Sequence, residues 1–196
     1  MKKNRWDDHF TRQARHENWL ARSVYKIQEI DKKFHIIGKG HRLLDLGCSP
    51  GSWSQFGIKT VGPKGKVIGV DLTKPNHLAA PNFRFIQADV LTLDTEWLIR
   101  ETGLVDLVLS DLAPQTTGIR LRDESRSMSL ARKASEIALA LLKKKGHFVC
   151  KIFEGDELGP FRSEVSASFR ELRLFRPKAT RKRSREVYLI GLNRLQ

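Results

Sequence analysis

This chain of 196 residues contains two cysteines, Cys48 and Cys150, which lack the paired spacing of zinc ligands. We therefore expect no bound metal, and two free thiols suit a reducing cytoplasm. No apolar run approaches the length of a membrane span, and the first residues are polar rather than an apolar signal core. These absences predict a cytoplasmic protein that does not insert into membranes.

Acidic residues are scarce relative to basic ones. The chain has 36 lysines and arginines and 22 aspartates and glutamates, a net charge of +14. This excess predicts a polyanionic partner, and the alternative is a merely solvated basic surface. The length suits one well-filled core, with no internal repeat or low-complexity linker. We expect a basic N-terminal arm at residues 1–17 and a single domain at residues 18–196.

The signatures of several enzyme classes are also missing. The chain has neither the Gly-Lys-Ser/Thr loop of a P-loop NTPase nor the nucleophile elbow of an α/β-hydrolase. No pair of carboxylates can be assigned to glycoside hydrolysis. The fingerprint G-x-G-x-x-G is not met either, which leaves a nicotinamide dehydrogenase as a remote alternative.

Apolar runs at regular intervals predict five β-strands separated by helices or loops. Helical periodicity marks the intervening segments and a stretch that starts at Trp19, with Lys26 at the edge of its apolar stripe. Gly146 follows three lysines and is expected to end the longest helix. The predicted strands are 41–46, 66–71, 83–88, 105–110 and 147–152, and the predicted helices are 52–60, 92–100, 122–145 and 158–170.

Alternation of strands and helices predicts an α/β fold with a mostly parallel sheet and helices on both faces. The last β-branched and aromatic run, residues 186–192, can pair with residues 171–175 through a turn around Pro177. The sheet is therefore expected to carry an antiparallel pair at one edge.

Residues 45–53, Asp-Leu-Gly-Cys-Ser-Pro-Gly-Ser-Trp, join the first strand to a helix through a glycine-bearing turn. Such a turn begins many nucleotide-binding α/β units, although it can also be only a tight turn. Asp71 ends the next strand, 20 residues after Gly51, about where an acid binds a ribose hydroxyl in such folds. The alternative for Asp71 is an ordinary cap at a strand end.

Three more polar residues lie at the carboxyl ends of predicted strands, where open α/β sheets bind ligands. Asp89 could accept a hydrogen bond from an adenine amino group or cap the following helix. Asp111 lies in a loop that Pro114 stiffens. Lys151 has apolar neighbours on both sides, so it should be either paired or functional. Because their strands are expected to be neighbours, Asp111 and Lys151 can meet.

Five blocks in order give the chain a close resemblance to a known family. They read Arg-Ser-Val-Tyr-Lys, Asp-Leu-Gly-Cys-Ser-Pro-Gly-Ser-Trp-Ser-Gln, Ser-Asp-Leu-Ala-Pro, Phe-Val-Cys-Lys-Ile-Phe-Glu-Gly and Arg-Ser-Arg-Glu-Val-Tyr, at residues 22–26, 45–55, 110–114, 148–155 and 183–188. From about Arg12 onward the chain resembles the FtsJ-type heat-shock ribosomal RNA ribose 2′-O-methyltransferases. Ser52 stands where the family commonly has glycine.

The resemblance implies a Rossmann-like, S-adenosylmethionine-dependent methyltransferase fold with a mostly parallel seven-stranded sheet and an antiparallel edge strand. It also implies a catalytic Lys-Asp-Lys-Glu tetrad, which falls on Lys26, Asp111, Lys151 and Glu186. The family's contacts to S-adenosylmethionine fall on Gly51, Trp53, Asp71, Asp89 and Asp111.

For the reaction, Lys151 is our candidate general base for a ribose 2′-hydroxyl. It must be neutral to serve, a state that nearby Lys26 and desolvation would favour and that Asp111 and Glu186 would oppose.

Basic residues flank the proposed tetrad in three clusters and predict RNA, rather than DNA, as the partner. The clusters are Arg12, Arg15 and Arg22; Arg120, Arg122 and Arg126; and Lys178, Arg181, Lys182, Arg183 and Arg185. The resemblance implies that the target is a uridine in the A-loop of large-subunit (23S) ribosomal RNA, in the assembled subunit. We expect a monomer without DNA or membrane partners.

Three alternatives remain at this point. The chain could be a tRNA ribose 2′-O-methyltransferase, since other branches of the family modify anticodon loops or messenger caps. It could methylate a base or a protein, although such enzymes commonly carry Asn-Pro-Pro-Tyr where this chain has Asp-Leu-Ala-Pro. It could also be a non-catalytic RNA-binding factor for ribosome assembly on the same fold.

Overall fold

The computed structural model describes residues 8–196, which form a seven-stranded sheet between two layers of helices. The sheet order is β3-β2-β1-β4-β5-β7-β6. The strands are β1 Arg42–Leu46, β2 Lys66–Asp71, β3 Phe83–Gln87, β4 Val105–Ser110, β5 Leu142–Phe153, β6 Phe169–Phe175 and β7 Glu186–Arg194. The helices are α1 His9–His16, α2 Val24–Phe34, α3 Ser52–Val61, α4 Thr95–Thr102, α5 Arg120–Leu141 and α6 Leu158–Ser166.

Strands β1 to β5 pair in parallel, and β7 lies antiparallel between β5 and β6. The predicted fold class is therefore confirmed, including the antiparallel pair at the edge. All five predicted parallel strands occur, four of them within one residue of the predicted bounds.

The core has two parts because side chains alternate between the faces of a strand. Leu44 and Leu46 of β1 pack in a cluster with side chains of α5 and α6. Leu43 packs with side chains of α2 and α3 on the other face. Burial on both faces explains the near-continuous apolar runs that predicted the parallel strands.

Helix α5 ends earlier than predicted. It stops at Leu141, and Leu142 is already extended, buried and paired with Val105 of β4, so the prediction that Gly146 ends this helix is wrong. Residues 143–146 form an irregular bend within β5, since Val105 pairs with Leu142 but Leu107 pairs with His147. Lys145 has φ 66° at this bend. The three lysines therefore lie at a strand's start rather than at a helix's last turn.

Other helix bounds also differ from the predictions. Helix α6 ends at Ser166, because Phe169 begins β6 and stacks on Phe148 with ring centroids 6.3 Å apart. Helix α2 begins at Val24 rather than near Trp19. Just before it, the backbone N–H of Leu20 donates to the side chain of Gln55, 3.0 Å away. Helix α4 begins at Thr95 rather than at residue 92, and the Asp94 carboxylate caps it by accepting from two backbone N–H groups of the first turn.

The expected arm at residues 1–17 lies partly outside the described residues, which begin at Asp8. Residues 9–16 form α1, capped by the Asp8 side chain, which accepts from the backbone N–H of Thr11 at 3.0 Å. Ala14 of this helix is buried, and Asp8 also pairs with Arg22. The division of the chain at residue 17 stays a prediction.

Candidate active site

The carboxyl edge of the sheet brings the predicted catalytic residues together. Asp111 directly follows β4, and Lys151 lies on the neighbouring strand β5. Because β7 is antiparallel, its first residue rather than its last reaches this edge, and Glu186 pairs with Phe153 there. Lys26 comes from the first turn of α2, which packs on the same side of the sheet as α3.

Two ion pairs form the centre of this site. The ammonium Nζ of Lys151 lies 3.0 Å from Oδ1 of Asp111 and 2.5 Å from the backbone oxygen of Asp111. The Nζ of Lys26 lies 2.5 Å from Oε1 of Glu186. All four side chains are at most 17% exposed, so water screens these charges only weakly. Lys151 is therefore paired, which is one of the two outcomes that its apolar neighbours predicted.

Charge links the two pairs. Burial alone would raise the pKa of Asp111, but the charges of Lys151 and Lys26, with hydrogen bonds from Tyr188 and Lys151, hold it below its usual range. Asp111 is therefore a carboxylate at neutral pH. The four groups form one cluster of two lysines and two acidic residues.

Tyr188 belongs to the same cluster, although the sequence analysis gave it no role. Its hydroxyl donates to Oδ1 of Asp111 at 2.7 Å, and its ring lies 5.7 Å from Lys26 Nζ. Burial, followed by the charges of Asp111 and Glu186, raises the pKa of Tyr188 well above its usual value, so the hydroxyl stays a donor. The period-two pattern of a strand was the available signal, because it places Glu186 and Tyr188 on one face.

A cleft of about 280 Å³ lies beside the cluster, at the carboxyl ends of β1, β2, β3 and β4. Two of the predicted cofactor residues, Asp71 and Asp111, line it. The other lining residues are Gly47, Ser49, Leu72, Ala88, Val90, Leu112 and Ala113.

Asp71 is held by the backbone around it. Its Oδ2 accepts from the N–H of Ser49 at 3.0 Å and its Oδ1 from the N–H of Thr73 at 2.9 Å. The carboxylate thus stabilises the glycine-bearing turn, as a plain structural acid would. Each carboxylate oxygen can still accept another hydrogen bond from a ligand hydroxyl.

The remaining predicted cofactor residues do not line the cleft. Asp89 is exposed between the lining residues Ala88 and Val90, and its Oδ1 accepts from the N–H of Leu91 at 2.9 Å. The cap of α4 is Asp94, so the alternative interpretation of Asp89 as a helix cap is wrong.

Trp53 is buried beneath the turn, where its indole N–H donates to the backbone oxygen of Ser23 at 2.8 Å. Gly51 precedes α3 with φ 116°, a conformation that favours glycine. Ser52 is also accommodated, since its hydroxyl lies 2.7 Å from that of Ser23.

Asp45 is a second residue whose importance the sequence analysis missed. It is fully buried in β1, and Ser54 donates to its Oδ2 at 2.6 Å, while Oδ1 has no hydrogen-bond partner within residues 8–196. Burial, and then the charges of Asp111 and Asp71, raise the pKa of Asp45 to about 7. An apolar-looking strand thus carries a carboxyl group that titrates near neutral pH.

A second hollow, of about 290 Å³, opens on the other pair, Lys26 and Glu186. Arg22 and Arg181 line it, and the Arg22 guanidinium donates to the backbone oxygen of Ala179. The three predicted basic clusters are partly neutralised. Arg120 and Arg185 both pair with Glu124, and Arg126 donates to the backbone oxygen of Gln115.

Residues 8–196 show neither a metal-binding cluster nor a helix that could cross a membrane. No group of three or more histidine, cysteine, aspartate or glutamate side chains in that range could hold a metal ion. None of the helices described there is both long enough and apolar enough to span a bilayer.

Comparison with known proteins identifies relatives along nearly the whole chain. Residues 19–194 match the family model of FtsJ-like methyltransferases. A protein of Bdellovibrio bacteriovorus named "Ribosomal RNA large subunit methyltransferase E" is 48% identical over 190 residues, which cover 95% of this chain and 96% of the relative. A Desulfosudis oleivorans protein with the same name is 46% identical, with 95% and 90% covered.

Solved structures agree with these relatives. A crystal structure from Plasmodium falciparum, provisionally described as a ribosomal RNA methyltransferase, is 26% identical to this chain and superposes with a TM-score of 0.79. The match covers 90% of this chain and 99% of that one. A family match over most of the chain, relatives of nearly equal length and a shared fold lead to one conclusion: this chain belongs to the FtsJ-like methyltransferase family.

Proposed function

We propose that this chain transfers a methyl group from S-adenosylmethionine to a ribose 2′-hydroxyl of large-subunit ribosomal RNA. The observation that carries this proposal is the buried cluster of Lys26, Asp111, Lys151 and Glu186 next to a cleft at the carboxyl edge of the sheet. The names of the relatives at 48% and 46% identity support ribosomal RNA as the substrate.

The cleft fits a nucleoside cofactor. Leu72, Val90 and Leu112 offer apolar walls for an adenine ring, and Asp71 offers acceptors for ribose hydroxyls. Gly47 lines the cleft without a side chain that would fill it. Its φ is 77°, and an added Cβ would lie 2.7 Å from the Leu112 side chain. When bound, S-adenosylmethionine would supply a methyl group on an already activated sulfonium.

The other residues that the resemblance assigns to the cofactor have different roles in this proposal. Asp89 stands next to two lining residues and can reach the same ligand from the rim. Gly51 and Trp53 act indirectly, because they fix the turn that carries Ser49 into the cleft.

For the chemical step, Lys151 is the proposed base. Asp111 holds its Nζ through two oxygens, and Tyr188 in turn holds Asp111. Lys151 must be neutral to accept the proton of the ribose hydroxyl. When its proton has left, Lys26 still supplies a positive charge near Asp111, so the buried carboxylate is not left unpaired. Base catalysis of this kind typically contributes about 10²–10⁴-fold.

The substrate ribose is proposed to approach from the hollow beside Lys26 and Glu186. Arg22 and Arg181 line that hollow and can contact phosphates that flank the reacting nucleotide. Holding the hydroxyl in line for transfer can supply about 7–11 kcal/mol in favourable cases. Within this proposal the target is an A-loop uridine in the assembled large subunit, and the protein acts as a cytoplasmic monomer.

The test uses labelled S-adenosylmethionine with total tRNA, free ribosomal RNA and undermethylated large subunits. Wild type should label a ribose-methylated nucleotide of large-subunit RNA. Lys151→Ala removes the proposed base, and Lys151→Arg replaces it with a guanidinium, which cannot release its proton. Both variants should lose at least about 100-fold in rate while they still bind the cofactor. Lys133→Ala, which removes the ion-pair partner of Glu136 within α5, is the control and should match wild type.

Label on tRNA alone would contradict the proposed substrate. Near-normal transfer by Lys151→Ala would contradict the assignment of the base. Cofactor binding without label on any of the three RNAs would favour a non-catalytic assembly factor.

A further inference from the structure

The end of the sheet opposite the active site is strongly basic. The segments at this end that precede or open β1 to β5 are residues 38–42, 62–66, 79–84, 101–106 and 142–147. They hold eight basic and two acidic residues, a net charge of +6 out of +14 for the chain. We call the basic set the amino-end face: Lys39, Arg42, Lys64, Lys66, Arg84, Lys143, Lys144 and Lys145.

These side chains form one connected surface. Arg42, Lys66 and Arg84 line a common hollow of about 180 Å³. Lys66 also lines a neighbouring hollow of about 440 Å³ with Lys64. Lys39 lies against Gly62 at the rim of that hollow.

On the other side, Asp106 joins β5 to the same surface. Its carboxylate accepts from the backbone N–H of Arg42 and from Lys143 Nζ, each at 2.8 Å. The face therefore extends from β3 to β5, across the parallel part of the sheet.

Most of this charge is not used within the fold. Arg84 pairs with Glu101 and Lys143 with Asp106. The other lysines of the face make no ion pair within residues 8–196, and all of them are exposed: Lys39, Lys64, Lys66, Lys144 and Lys145. Like charges gathered on one surface repel, so their arrangement is explained by an external polyanion rather than by stability.

We propose that the amino-end face binds a second segment of the folded RNA whose target nucleotide enters the active-site cleft. This inference rests on the proposed function and names the form of its substrate. Strands of five or six residues are about 17–20 Å long, which separates the two ends of the sheet. One short RNA strand in the cleft does not reach around the molecule to the opposite end. A folded RNA that presents phosphates on two sides can contact both ends of the sheet.

The first arm of the test removes two exposed, unpaired lysines in the variant Lys64→Gln/Lys144→Gln. Undermethylated large subunits and a short RNA fragment that carries the target nucleotide are the two substrates. The KM for the subunit should rise about 5- to 30-fold, with kcat nearly unchanged. For the short fragment, the KM of the variant should stay within about two-fold of the wild-type KM.

The second arm measures equilibrium binding of large-subunit RNA without turnover. The slope of log affinity against log salt should become shallower by about 1 to 2, as expected for two lost phosphate contacts. Lys64→Arg/Lys144→Arg keeps both charges and should restore wild-type binding. Arg162→Gln, on the exposed face of α6 away from these segments, is the location control and should behave as wild type.

An unchanged KM for the subunit and an unchanged salt slope would overturn the proposal. An equal rise in KM for both substrates would overturn it too, because that result would indicate a general loss of charge attraction. Failure of the proposed function is a separate result, since it would appear as absent methylation by wild type, whereas the binding arm still tests the face directly.

Discussion

The Asp111 carboxylate is held by Tyr188 as well as by the two lysines. Its Oδ1 accepts from both the Tyr188 hydroxyl and Lys151 Nζ, at 2.7 and 3.0 Å. These two donors, of which Lys151 also donates to the backbone oxygen of Asp111, leave Asp111 little freedom, and this keeps Lys151 in one place. Precise placement of a base matters because small displacements are costly in rate.

Tyr188→Phe should therefore lower the free energy of unfolding at pH 7 by about 1.5–3 kcal/mol, the value of a hydrogen bond to a charged group. The pKa of Asp111 is depressed in the folded state, so its stabilising effect is present above the unfolded pKa and lost as pH falls through the folded one. Without the tyrosine the folded pKa lies closer to the unfolded one, so this loss should be smaller and should end at a higher pH. Urea unfolding between pH 3 and 7 measures it.

The only other tyrosine of the chain provides a matched control. Tyr25 donates to Glu17 in a partly exposed setting, so Tyr25→Phe should change stability by less than about 0.5 kcal/mol. Equal effects of the two substitutions would show that the hydrogen bond to Asp111 has no special value.

Asp45→Asn should increase stability above neutral pH. The folded state holds the pKa of Asp45 at about 7, whereas an unfolded aspartate has about 3.9. The folded state therefore binds more protons between these pH values, and this contribution to stability falls as pH rises from about 4 to 7. Asparagine removes that loss, which is on the order of 4 kcal/mol for a difference of about three pKa units.

Unfolding of wild type and Asp45→Asn should be compared at pH 5 and pH 8. The gain should be larger at pH 8. Asp156→Asn changes an exposed carboxylate and should leave the pH dependence as it is in wild type. A parallel shift of Asp45→Asn at both pH values would contradict the raised pKa.

The residues that sequence reasoning missed share a cause. The topology of parallel sheets pointed to Asp111 and Lys151, and the resemblance added Lys26 and Glu186. Asp45 was read only as part of a turn motif, since its burial depends on which helices cover β1. The role of Tyr188 needed the register of β7 against β5, in which it pairs with Lys151.

At the scale of elements, the junction of α5 and β5 is where local pattern and tertiary structure disagree. Three lysines followed by glycine resemble a helix end. The chain instead leaves the helix at Leu142, because that side chain is buried and its backbone pairs with Val105. Pairing with a distant strand overrides the local signal, and this pairing cannot be seen in a window of a few residues.

Gly146→Ala tests this bend. An alanine Cβ at this position would lie 2.8 Å from the backbone oxygen of Lys143 and 3.1 Å from that of Asp106, and backbone cannot easily move. Stability should fall by about 1–3 kcal/mol, as for overpacking. Thermal unfolding measures it.

Gly159→Ala is the control for Gly146→Ala. Nothing lies within 4 Å of a Cβ added to Gly159 in α6, so alanine should stabilise by about 0.5–1 kcal/mol. A stable Gly146→Ala protein would show that residues 143–146 can rearrange freely.

Most elements could be predicted because each strand and helix has a pattern of its own. The parallel strands are buried on both faces and read as apolar runs, and Asp94 marks the start of α4 chemically. The errors lie at the ends of elements, where a long-range contact decides the boundary. The spacing of Phe169 predicts a helical residue, but Phe169 belongs to strand β6. The pairing order of β5, β7 and β6 follows only from the assembled sheet.

At the scale of the whole molecule, positive charge lies at both ends of the sheet. The active-site end carries Arg22 and Arg181 around a hollow, and the amino-end face carries a net +6. Affinity for RNA should therefore fall steeply with salt.

If about five phosphates are contacted, an increase from 50 to 200 mM salt should lower RNA affinity roughly 100-fold. Binding of S-adenosylmethionine should change by less than about two-fold, because it depends on the enclosed cleft rather than on surface charge. Equilibrium titrations at both salt concentrations test this. A flat response for RNA would remove the electrostatic basis of the substrate proposal.

The position of β7 has a consequence for the chain while it is still being synthesised. This strand follows all other elements in the chain, yet it lies inside the sheet and contributes both Glu186 and Tyr188. Because chains are made from the N-terminus, a nascent chain can assemble the glycine turn, Asp111 and Lys151 while its site still lacks an acid and a tyrosine. If the proposed site is correct, the emerging polypeptide is expected to stay inactive until its final strand inserts.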